Sequence, residues 1–121
     1  AEDSRRVDAA FYVALRAAER FFADCQRHPG DDECNLAEDV RVLASLARSM
    51  LHEAGMVGVE LPSGVVEEVA RWGSGDLVSV ATALGAMACQ EAIKILTRQF
   101  VPVQGTVLLN AVHASTSVFA L

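Results

Sequence analysis

A chain of 121 residues, 52% hydrophobic and 21% charged, is long enough for one domain with a real core. Its net charge of −6, with no run of basic residues interleaved with aromatics, argues against a nucleic-acid or anionic-membrane surface as the main partner. Three cysteines without framework spacing exclude a disulfide scaffold and read as reduced thiols, so a cytoplasmic and nuclear location is expected. No secretory signal or membrane span is read, and the start inside charged, helix-forming sequence suggests a piece of something longer.

Ala1 to Gln26 reads as a long helix, with Val7, Phe11, Leu15, Ala18, Phe22 and Cys25 on one apolar stripe. Pro29-Gly30 breaks it, and the acidic run Asp31-Asp32-Glu33 reads as solvated loop. Asn35 offers an N-cap to a second helix, Leu36 to about Ala54, with Glu38 completing a near capping box. Leu36, Val40, Leu43, Ala47, Met50 and Leu51 share its inner face, and Gly55 suits a left-handed stop. Met56 to Leu61 is a loop or a brief extended piece. Gly64 to Trp72 forms a short third helix with Val65, Val66, Val69 and Trp72 inward. Gly73-Ser74-Gly75 is a hinge into the fourth.

The fourth helix, Asp76 to Phe100, is the organising element. Val78 to Cys89 is uncharged and apolar right round the wheel, which predicts burial on every side; twelve such residues are too few for a bilayer, which needs about 20. Asp76 can cap its start, and Pro102 disfavours helix at Val101. Gln90, Glu91, Lys94 and Arg98 then make a polar stripe in which Glu91 and Lys94 stand at pairing distance. Thr106 to Val112 and Ser117 to Leu121 read as a strand hairpin, too small to stand alone and suited to joining a larger sheet. The fold class is α+β, mostly α, with about four helices before a two-stranded element.

Candidate chemistry is sparse. Cys25, His28 and Cys34 have a spacing that matches no zinc pattern and lack a fourth ligand, so no metal is expected. Cys89 sits among alanines as a small core residue rather than a nucleophile. His52 and His113 have no partners at useful spacing, and Glu67-Glu68 is solvated surface. Gly73-Ser74-Gly75 follows a helix and has no phosphate-loop continuation, so no cofactor is expected on this chain.

One stretch resembles a family. Ala81 to Pro102, ATALGAMACQEAIKILTRQFVP, is broadly similar to the late segment of the ThiF/MoeB-like adenylation domain in ubiquitin-like-modifier-activating enzymes. The likeness extends over most of the chain, through the His28-Pro29-Gly30 turn, Glu38-Asp39 and the Thr116-to-Leu121 end, and is best to the regulatory, non-catalytic subunit of the Nedd-type heterodimer. Gly85-Ala86 stands where that family has Gly-Gly, Cys89 where it has Ala, and His28 where it has an aromatic residue. The resemblance implies that residues 76–121 are the terminal helix and strands of an inactive, Rossmann-like adenylation domain, and residues 1–75 a helical segment adjoining the cysteine-domain region. It implies no catalytic residues here, with ATP and Mg on a catalytic partner subunit and a ubiquitin-like modifier as the further partner. Gly85, Gln90, Glu91, Lys94 and Phe100 carry over as structural signature positions only. The equivalent segment of a ubiquitin- or SUMO-activating enzyme, or an independent helical interaction module, is the alternative. Alone, the chain is expected to self-associate through its apolar surface.

Overall fold

The computed structural model describes residues 2–56 and 59–120. It is mostly helical, with α1 at Glu2–Cys25, a 3₁₀ turn at Glu33–Asn35, α2 at Leu36–Glu53, α3 at Ser63–Trp72, α4 at Val78–Thr97, and strands β1 at Thr106–Asn110 and β2 at Ser115–Phe119. The chain divides into two compact units between Gly75 and Asp76.

In the first unit α1, α2 and α3 pack on one another around Ala10, Ala14, Ala17, Phe21, Leu43, Ala47, Val65, Val66, Val69 and Ala70. The inner face of α2 is as expected at Leu43, Ala47 and Leu51, with Leu36, Val40 and Met50 half-buried against the core. The stripe of α1 is not. Its buried line runs Ala10, Ala14, Ala17, Phe21, one residue from the expected one, leaving Leu15, Phe22 and Cys25 exposed. Alanines at the crossings let helices approach closely, since interaxial distance depends on the side chains between them. The larger apolar residues are displaced to the flanks. Trp72 likewise points away from the core at 66% exposure, and Ala70 takes the inward place.

Two terminal signals resolve differently. Gly55 adopts φ +70°, its N–H donates to the His52 carbonyl and the Met56 N–H to Leu51, which is a Schellman stop. Asn35 does not cap α2: its side chain donates to Asp32 instead (2.8 Å). The charged acceptor of Asp32 is the stronger partner. The described part of Met56–Leu61 has no strand, and Val57 and Gly58 lie outside the described residues.

The second unit holds α4 and an antiparallel hairpin, Thr106 opposite Phe119 through Asn110 opposite Ser115. The side chain of Asn110 accepts the N–H groups of Val112 and His113, and Ala114 turns left-handed at φ +48°, so the loop closes over four residues. β1 ends two residues before the expected Val112 because this turn takes residues 111–114, and β2 begins at Ser115, two residues before the expected Ser117, and ends at Phe119; Leu121 lies outside the described residues.

Helix α4 is shorter than read. It begins at Val78 with no side-chain cap from Asp76, and it ends when Arg98 turns left-handed at φ 55°, before Pro102 is reached. It is also not buried: Val78 is 81% and Leu96 82% exposed. A two-stranded hairpin has too little surface to enclose a helix. By length and composition α4 could cross a membrane. The core helix of a water-soluble protein passes the same test, and Glu91 and Lys94 interrupt the second half of this one.

Candidate functional site

Of the five signature residues, the structure joins two. Lys94 Nζ donates to Glu91 Oε1 (2.7 Å), and the second carboxylate oxygen of Glu91 accepts the backbone N–H of Val103 (2.8 Å). This placement follows from local sequence. A three-residue step sets both side chains on one side of α4, and the left-handed Arg98 reverses the chain so that Val103 returns to them. The Lys94 hydrogen bond, then the Val103 N–H, hold the Glu91 carboxyl below its usual range. Both side chains remain about 30% exposed, at 30% and 28%. The pair fastens the exit of α4.

Gly85 lies on an exposed stretch of α4, and a Cβ built there meets nothing within 4 Å. Gln90 is exposed on the polar side, and Phe100 is largely exposed past the helix end. Neither joins the Glu91–Lys94 pair.

A second constellation, missed from sequence, sits in the first unit. Asp39 is buried on α2, yet its carboxylate takes both guanidinium nitrogens of Arg27 (2.7 and 2.6 Å) and the N–H of Gly30 (2.9 Å). The Arg27 hydrogen bonds, opposed by burial and helped by Gly30, hold Asp39 below its ordinary value. The same bond raises Arg27, whose guanidinium also lies 5.1 Å from the centre of the Phe21 ring. Gly30 adopts φ +82° and runs so close to α3 that a Cβ there would stand 2.1 Å from the Ala70 carbonyl oxygen. The sequence signal was available: Asp39 lies four residues before Leu43, on the stripe that continues to Ala47 and Leu51.

The remaining candidates stay apart. Among the described residues no three His, Cys, Asp or Glu side chains gather as a metal site. Cys25, Cys34 and Cys89 are exposed free thiols; for Cys89 this corrects the core placement, because α4 itself is uncovered. The ring of His28 stacks on Phe22 at 4.6 Å. The acidic run is more than solvated loop: Asp31 accepts the His28 N–H, and Asp32 accepts the Cys34 N–H and the Asn35 amide. The Asp39 and Glu91 clusters and the acidic run each hold backbone N–H groups.

No protein-family profile matches the chain. Curated relatives do. The chain is 36% identical over 111 residues to the NEDD8-activating enzyme E1 regulatory subunit AXR1 of Arabidopsis thaliana, covering 92% of this chain and 21% of that protein. It is 39% identical over 103 residues to the Nedd8-activating enzyme E1 regulatory subunit of Drosophila melanogaster, covering 85% and 19%. The Danio rerio subunit of the same name is 35% identical over 119 residues, covering 98% and 22%. The chain is homologous to part of the NEDD8-activating enzyme E1 regulatory subunit. It spans about a fifth of the length of these regulatory subunits.

Proposed function

We propose that this chain is a non-catalytic scaffolding segment of a heterodimeric ubiquitin-like-modifier-activating enzyme of the neddylation pathway. The observation that carries the reading is the match to regulatory subunits over 85 to 98% of the chain. In it, ATP-dependent adenylation and the thioester belong to the catalytic partner subunit, and residues 76–121 complete the sheet of an inactive, ThiF-like adenylation domain. The segment 1–75 stands beside the cysteine-domain region, and the enzyme works in cytoplasm and nucleus. Two features support a structural role: the polar clusters at Asp39 and Glu91 both tie down backbone, and the hairpin keeps unpaired strand edges that an adjoining strand could take up.

The test is to purify the full-length parent with its co-purifying subunit, add candidate ubiquitin-like modifiers with ATP, and locate the thioester. The expected result is a modifier thioester on the partner and none on Cys25, Cys34 or Cys89. A thioester on any of these three overturns the non-catalytic role. No thioester with any modifier overturns the pathway and leaves an independent helical interaction module.

A further inference from the structure

The cationic surface of the chain is drawn almost wholly from one residue type. Of its ten lysine and arginine side chains, nine are arginine and one, Lys94, is lysine. Lysine is ordinarily among the commonest residues of a globular domain, so the imbalance calls for a cause. Folding supplies one at a single position. Arg27 meets Asp39 with two nitrogens and lies over the Phe21 ring, a placement that needs a planar guanidinium. The others do not need it. Arg16, Arg41 and Arg71 each give one nitrogen to one carboxylate oxygen, of Glu19, Glu38 and Glu67 on their own helices. A lysine makes such pairs as well. Arg20 stands 3.8 Å from Glu53, and Arg48 and Arg98 are exposed. At these places an ammonium would serve the fold equally.

What separates the two cations is acyl chemistry. A lysine amine can shed its proton and attack an acyl thioester, whereas a guanidinium keeps its proton and its charge. In that aminolysis the C–N bond forms as the C–S bond breaks, and the thiol leaves with the proton that the amine gives up. The one amine side chain present is restrained. Lys94 Nζ donates to Glu91 Oε1 (2.7 Å), its side chain is half-buried, and attack on a thioester would first break that bond. We propose that this surface is built to carry positive charge without offering an amine to modifier thioesters, with Glu91 shielding the single lysine. The inference rests on the regulatory-subunit reading, which sets the chain beside thioester-linked modifiers. It adds what the surface must avoid, which is becoming a conjugation substrate itself.

Two measurements test it. In the first, the full-length parent with its co-purifying subunit receives ATP and candidate modifiers, and isopeptide-linked modifier within residues 1–121 is mapped by peptide mass spectrometry. Wild type is compared with Arg16→Lys, Arg41→Lys and Arg48→Lys, which keep the charge and supply an exposed amine. Modifier is expected at the introduced lysines and not at Lys94. In the second, the 121-residue chain is treated with S-acetyl-N-acetylcysteamine, a small acyl thioester that needs no enzyme. Lys94 is expected to acetylate about tenfold more slowly than the lysine introduced at position 48, the factor that a hydrogen bond between charged groups supplies. Glu91→Gln is expected to close most of that gap. Acetylation of wild-type Lys94 at the rate of position 48 overturns the shielding, as does modifier found on Lys94. A thioester on the partner with no modifier at any introduced lysine overturns the proposal and leaves the regulatory-subunit reading intact. No thioester with any modifier overturns that reading, and this proposal falls with it.

Discussion

Replacing Asp39 by Asn preserves shape and removes the charge at the junction of all three helices of the first unit. The native carboxylate is 3% exposed and receives two guanidinium bonds and one backbone N–H, whereas Arg27 is 37% exposed. Breaking a buried ion pair by removing one partner costs about 3–5 kcal/mol, and the access of Arg27 to water places Asp39→Asn at or below that range, about 2–3 kcal/mol. For a unit of this size that corresponds to a fall of roughly 10–20 °C in melting temperature. The pH dependence supplies a sharper check. Asp39 is held below its ordinary value of 3.8, so the unfolded chain binds a proton that the folded chain resists. Its contribution is complete above that ordinary value and is lost as pH falls through the lowered folded value. Urea unfolding followed by far-UV circular dichroism should therefore show a wide gap between wild type and Asp39→Asn at pH 7, narrowing below about pH 4. A gap under about 1 kcal/mol, the size of an ordinary neutral hydrogen bond, or one that does not change on acidification, would refute the ion-pair account.

Gly30→Ala should destabilise the first unit by more than the about 1–2 kcal/mol of a left-handed alanine, because its Cβ would stand 2.1 Å from the Ala70 carbonyl. Gly55→Ala, at a similar φ of +70° but with open space, should cost only the backbone term, and parallel thermal melts will separate the two. Phe21→Ala should cost about 3–5 kcal/mol in urea unfolding, as a fully buried ring. Trp72→Ser should stay within about 0.5 kcal/mol in the isolated chain, with its indole emission in the native state already that of a water-exposed ring. Glu91→Gln should leave helix content unchanged but speed amide exchange at Val103, since only the ionised carboxylate makes both bonds at full strength. Unchanged exchange there would mean that the Glu91 clasp does not hold the returning chain.

What could be read from the sequence depended on whether the cause was local. The Gly55 stop needs only a residue free to turn left-handed at a helix end, and the structure uses it. The Glu91–Lys94 pair needs only a three-residue step, and it forms. The hairpin needs two apolar, β-branched runs, and it forms, but its turn falls at residues 111–114, two residues earlier than read, where Asn110 closes it. Readings failed where another element sets the outcome. Periodicity alone fits both lines on α1, Phe11-Leu15-Ala18-Phe22 and Ala10-Ala14-Ala17-Phe21, since they differ by one residue. Ranking by size chooses the first. Three helices crossing at once choose the second, because alanines at 10, 14, 17, 47 and 70 permit the approach that large side chains would block. Asp39 follows the same logic in reverse: an acid on an inward stripe looks like an error until Arg27, twelve residues earlier, is folded back to meet it.

Helix α4 extends the argument beyond the chain. Its composition implies enclosure, and nothing in its own unit encloses it. The two statements are reconciled if the surface it was shaped for belongs to another part of a longer protein.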